Sequence, residues 1–193
     1  MIPVDLWLGG QFLGKPSLEL SDDQGVVAPS PDLPRVRLGV DLGLQGGDPN
    51  ATVHVGLSGA LWSGNYALGI PYDATAYELG ADLVIRPWLF PQLDDESRQL
   101  RVRPFTDFAA GLRVSGLEQP WWGDYSRGGV AFRAGLGTAI GSAHAHGQVA
   151  LRYEVVVAGS ALQGVLDSAA QDMTWTWNPT GSRLLLELGA GFR

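Results

Sequence analysis

Three histidines, His54, His144 and His146, together with scattered serines and carboxylates, are the residues of this chain whose types could do chemistry. His54 and Ser58 share a parity, so in an extended segment both face one side. Four residues of strand nevertheless separate them by about 13 Å, beyond the reach of a nucleophile and its base. His144 and His146 stand two apart beside Gly147, a spacing that offers two metal ligands without an evident third, and the plainer reading is a polar turn. The run GLGTAIG at 135–141 resembles a dinucleotide loop, yet it lies in or at the end of a strand, with no following helix to receive a phosphate. Asp22-Asp23 and Asp94-Asp95-Glu96 are carboxylate runs in connections, without the regular ligand spacing of a calcium loop. There is no cysteine, which removes disulfides, thiolate metal sites and thiol nucleophiles. The expectation is a chain with no catalytic residue, no metal and no cofactor.

The elements that hold these residues are signalled by a period of two. From Arg35 to Gln45 the sequence RVRLGVDLGLQ puts Val36, Leu38, Val40, Leu42 and Leu44 on one face and Arg35, Arg37, Gly39, Asp41, Gly43 and Gln45 on the other. The pattern recurs at 4–13, 35–45, 52–62, 75–90, 100–115, 130–140, 148–157 and 183–192. These stretches are long for globular strands and suit a tilted bilayer crossing. Their connections alternate: 14–34, 63–74, 116–129 and 158–182 are long, whereas 46–51, 91–99 and 141–147 are shorter. An even number of strands in a meander lets the last close on the first. The prediction is an all-β chain, one domain over 1–193, folded as an eight-stranded antiparallel up-and-down barrel. Four long loops would occupy one rim and short turns the other. The nearest approach to a helix is 160–170, and the first loop, with Pro16, Pro29, Pro31 and Pro34, reads as extended and irregular.

Alternation alone does not say which face is inside, because soluble and membrane barrels share it with opposite orientation. Composition decides. The polar face carries Gly9, Gly39, Gly43, Gly56, Gly80, Gly111, Gly135, Gly137, Gly189 and Gly191 among its charges. Glycine weakens a solvated outer face, but in a narrow lumen it makes room for long arginines. The other face, as in Leu79, Ala81, Leu83 and Ile85, carries almost no charge, as a lipid-facing band requires. Charged residues make up only 17% of the chain and Lys15 is the single lysine. A net charge of -7 argues against nucleic acid as a partner. No apolar run is long enough for a transmembrane helix. The first residues do not read as an export signal, so the chain is either cytosolic or a mature form whose signal has been removed.

With the apolar face outward, Arg37, Asp41, Glu78, Asp82, Arg86, Arg103, Asp107, Arg113, Arg133, Arg152, Glu154, Arg183 and Glu187 turn inward, along with His54 and Arg101. Charges of both signs in a confined space should pair, arginine's fork gripping carboxylates, into a salt-bridged plug. Aromatics gather at strand ends, where a bilayer meets water. Trp62, Tyr66, Tyr72, Tyr77, Trp121, Trp122, Tyr125, Trp175 and Trp177 lie near the long-loop rim, and Trp88, Phe90 and Phe192 near the other. They are expected to be interface anchors. The long loops are acidic: Glu19, Asp22, Asp23, Asp32, Asp73, Glu118, Asp124, Asp167 and Asp172 face only Lys15 and Arg127.

On these features the chain resembles the small eight-stranded outer-membrane β-barrels of bacteria, the group that includes the OmpA membrane domain, OmpX and OmpW. The likeness is architectural and covers nearly the whole chain. Members of this group end in an alternating strand with a terminal aromatic read by the assembly machinery, and this chain ends LLLELGAGFR, with Phe192 penultimate. The resemblance implies a bacterial outer-membrane location, outer-membrane lipid as the surrounding partner, and contact with another envelope protein through the long loops. The expected role is non-enzymatic: a scaffold, adhesion element or subunit of an envelope complex. The alternatives are a soluble barrel enclosing a small apolar ligand, a lipid-modifying outer-membrane enzyme and a narrow channel.

Overall fold

Strands alternating apolar and polar residues bury one face only if the sheet curls, and here it closes on itself. The computed structural model describes residues 4–13, 17–22, 25–28, 35–44, 51–67, 71–89, 101–119, 123–142, 144–168 and 171–192. The strands are β1 (Val4–Leu13), β2 (Ser17–Asp22), β3 (Gly25–Ala28), β4 (Arg35–Gly43), β5 (Ala51–Ala67), β6 (Pro71–Pro87), β7 (Arg101–Gln119), β8 (Gly123–Gly141), β9 (Ala145–Ala158), β10 (Leu162–Ser168), β11 (Gln171–Asn178) and β12 (Gly181–Phe192). Eight of them form a closed barrel in the order β1-β12-β9-β8-β7-β6-β5-β4, each neighbour antiparallel. The first strand pairs with the last, Val4 opposite Phe192, so the barrel has no free edge.

The pairing register fixes the tilt. From Leu8, the partners Leu38, Gly59 and Leu79 lead to Val114 on β7. In the other direction Leu188, Val149 and Thr138 lead to Pro104, ten residues along the same strand. A stagger of that size over eight strands tilts them by about 40° and leaves an interior only wide enough for side chains.

Faces follow parity. Leu8, Leu38, Leu57, Leu79, Leu112, Leu136, Leu151 and Leu188 point outward, each with half or more of its surface exposed. Arginines and carboxylates of the opposite parity are buried. Along β8 the outward apolar run from Val130 to Ile140 spans about 25 Å of height once tilt is allowed for, the thickness of a lipid-facing band. Outward residues turn polar beyond it, at Ser126 and Asp124, where the β7–β8 hairpin continues past the band.

Two expectations about the loops are corrected. Residues 162–168, in the stretch nearest to a helix, form strand β10, and the first loop holds the paired strands β2 and β3 instead of being irregular throughout. Together with β11 they make a separate four-stranded sheet in the order β10-β11-β2-β3. Its centre joins segments far apart in the chain, with Leu20 opposite Trp175 and Leu18 opposite Trp177. A local reading cannot see that pairing, which supplies the hydrogen bonds a short helix would otherwise have made internally.

Candidate functional site: the charged interior

The interior is built from side chains that all eight barrel strands, β1, β4, β5, β6, β7, β8, β9 and β12, aim at one axis. Toward the long loops, Glu154 of β9 is the hub. Arg37 of β4 donates through Nη1 to both Glu154 oxygens at 3.0 Å, and Arg113 of β7 donates through Nη2 to Oε2 at 2.7 Å. Arg113 also grips Asp82 through both terminal nitrogens, at 2.5 and 3.0 Å. Arg183 of β12 holds both oxygens of Glu78, its Nη1 donating to Oε1 at 2.9 Å. Ser58 Oγ accepts from Arg37 at 3.1 Å, and Ser115 Oγ donates to Glu78 at 3.4 Å.

Below that layer Arg152 donates through Nε to Asp107 at 2.7 Å and also contacts Glu187, while Arg133 lies 3.8 Å from Asp82. Nearer the short turns Arg86 joins Asp5 at 2.7 Å and Asp41 at 3.4 Å. The Trp7 indole N–H donates to Asp41 at 3.3 Å. The Arg86 guanidinium lies 4.6 Å from the Phe105 ring centroid, and Phe105 packs edge-on against Trp88 at 5.6 Å. Trp88, Phe105, Ala139 and Ala150 form a buried apolar layer near the short turns.

Charge nearly balances in this space. Among the described residues, six buried arginines face seven buried carboxylates: Asp5, Asp41, Glu78, Asp82, Asp107, Glu154 and Glu187. Buried charges cost several kcal/mol each unless paired and hydrogen-bonded, so near-balance is a condition of folding around them. The glycines of the polar face supply the room. A Cβ at Gly80 would lie 2.6 Å from Arg113 Nη1, one at Gly135 would meet the Arg152 stem at 2.6 Å, and one at Gly39 would enter the Trp7 ring.

No protein-family model matches the chain, and no curated protein matches it in sequence. Solved structures do match. Neisserial surface protein A, NspA, aligns over 99% of this chain and 96% of its own, with a TM-score of 0.54 and 11% identity. OprG, an outer membrane protein from Pseudomonas aeruginosa, aligns over 99% and 94%, with a TM-score of 0.56 and 12% identity. The fold is that of a small outer-membrane β-barrel.

In that frame the sequence-based site residues fall as follows. Arg37, Asp41, Glu78, Asp82, Arg86, Asp107, Arg113, Arg133, Arg152, Glu154, Arg183 and Glu187 are all buried inside the barrel. Arg103 is half-buried, its guanidinium 4.2 Å from the Trp88 ring centroid. Asp5, Trp7 and Gln148 were missed, although their parity with Gly9 and Ala150 would have assigned them inward. His54 is buried with Nε2 2.8 Å from Thr52 Oγ1, and Ser58 serves Arg37, so the two form no nucleophile pair. His146 lies 3.4 Å from Asp5, and His144 is exposed in the turn. Among the described residues no three His, Asp or Glu side chains are grouped to hold a metal. The run 94–96 and Asp23 lie outside the described residues.

The aromatic expectation needs further correction. Trp175 and Trp177 are 2% and 1% exposed, too deeply covered to meet lipid headgroups. Trp175 lies over Gly164 of the neighbouring strand and packs against Tyr125 of β8 at 4.8 Å, so it fastens the loop sheet to the extended hairpin. Trp88 is likewise interior. Two residues after Arg86 and bridged to Phe105, it shares the inward side of both. Phe192 is outward and half exposed at the end of β12. Trp121 and Trp122 lie outside the described residues, as does the Trp62 side chain.

Proposed function

We propose that the chain is a non-enzymatic protein of the bacterial outer membrane that acts through its long-loop rim, with the barrel as its lipid-embedded support. The observation that carries this reading is the crossing of the lumen by paired charges. Arg37 reaches from β4 to Glu154 on β9, and Arg183 from β12 to Glu78 on β6, each spanning the interior. Side chains that meet across the axis leave little section for solute, so specificity falls to the surface beyond the lipid. The same polarity argues against a soluble barrel for an apolar ligand, whose lumen would be apolar.

At the long-loop rim the four-stranded sheet and the extended β7–β8 hairpin form a platform joined through Trp175 and Tyr125. Its acidic composition favours a cationic envelope partner, or an anionic lipopolysaccharide surface bridged by divalent cations. Planar-bilayer recording of the refolded protein is the test of the support role: only small or no current is expected, and a large steady conductance would overturn it. Binding to lipopolysaccharide vesicles should fall on chelation or at high salt. Binding indifferent to both would remove the electrostatic account of the rim.

A further inference from the structure

Toward the long loops, beyond the ion pairs, the inward face turns apolar. Ala131 of β8 and Val156 of β9 are register partners that stand two residues past Arg133 and Glu154 on the same face, and both are buried. Ala76 of β6 and Leu117 of β7, register partners of inward parity, are buried as well. Barrel closure does not account for Leu117. The β8–β9 ladder ends at Gly129 and Ala158, whereas the β7–β8 ladder runs on to Gln119 and Gly123, so Leu117 and its partner Tyr125 lie on a part of the hairpin that rises past the closed wall. An inward side chain at that height meets water unless something lies over the mouth. We infer that the four-stranded loop sheet is that cover, a lid closed over the long-loop mouth of the lumen.

The attachment of the sheet is one-sided. β2 follows β1, β10 follows β9 and β11 precedes β12, and β1, β12 and β9 are consecutive in the barrel wall. The links 159–161 and 179–180 are short and lie side by side, pinned where Thr180 Oγ1 accepts from Ala158 N at 3.1 Å and donates to Ala158 O at 3.4 Å. The closing contact is apolar. Trp175 and Trp177 are two apart on β11 and share one face, which is buried, and Trp175 meets Tyr125, whose parity on β8 is that of Arg133. The opposite face of the sheet carries Thr174, Gln163 and Val165, all exposed. A sheet apolar on one side and polar on the other, laid against the inner face of an extended hairpin, makes the second layer of a small β-sandwich. Whatever the rim binds, the ion pairs of the lumen are then reached from the long-loop side when the lid lifts Trp175 off Tyr125.

The chain has no cysteine, so a single introduced thiol reports access without background. A131C places one beneath the lid and V165C one on its exposed face. In the full chain refolded in detergent micelles, a charged, water-soluble methanethiosulfonate should modify A131C at least about a hundredfold more slowly than V165C, each rate taken relative to the same thiol in the urea-unfolded chain. Adding W175A should raise the A131C rate at least about tenfold, with V165C unchanged and the heat-dependent gel shift of the barrel intact. W175F, which keeps a ring against Tyr125, should retain most of the protection. A60C, on the inward face of β5, gives the same comparison if A131C does not show the folded band. A131C as reactive as V165C with the sheet unaltered, or a protected thiol indifferent to W175A, would overturn the lid. So would protection lost only together with the gel shift, since the sheet would then be part of the barrel's own stability.

Discussion

Glu154 receives Arg37 and Arg113, with Arg183 close by at 3.7 Å, so one carboxylate neutralises part of three strands at once. Replacing it by glutamine keeps the shape and removes the charge. E154Q should cost about 3–5 kcal/mol, the scale of breaking a buried ion pair, read from urea unfolding in detergent or lipid. Glycine sites give a second prediction of opposite kind. G80V would push side chain into Arg113 and into Ser58 Oγ, 2.7 Å from the new Cβ, and should destabilise by about 1–3 kcal/mol. G128A is the control, because nothing lies within 4 Å of its Cβ position, and the same denaturation should show little change. Which residues turn inward was legible from parity, since a strand shows two faces and no more. Which ones pair was not: Arg37 and Glu154 are 117 residues apart, and only closure of the barrel brings them together.

At the scale of elements, the barrel strands were readable and the loop sheet was not. β4 and β9 announce themselves by alternation within their own sequence. β11 alternates too and pairs locally with β10, but its other neighbour, β2, lies about 150 residues away in sequence, next to β1 as β11 is next to β12. Trp175 shows the difficulty at one position. A tryptophan near a strand end matches a membrane anchor by composition, and only Gly164 beneath it and Tyr125 beside it reveal a packing role. W175A should therefore loosen the loop sheet and leave the barrel intact. The expected outcome is faster proteolytic nicking within 14–34 and 158–182, with the heat-dependent gel shift unchanged; loss of that shift would tie the sheet to the barrel's own stability.

For the molecule as a whole, the outward face is the part that most directly meets lipid. Leu136 stands near the middle of the apolar run on β8 and is 63% exposed. L136R should destabilise by about 2–4 kcal/mol when unfolding is measured in bilayers, the cost of a guanidinium at mid-depth. V165R, on the exposed strand β10, should be nearly neutral in the same measurement. One feature of the architecture also bears on time as well as energy. Val4 and Phe192 are register partners, so the seam that completes the barrel joins β1 to β12, strands far apart in sequence. Until β12 is in place, β1 and β9 each expose a row of unmatched amides beside an apolar face. Such long-range closure is slow. Any state with its strands formed and this seam unmade carries sticky open edges, and their safe custody until closure is a requirement imposed by topology, whatever the finished loops go on to bind.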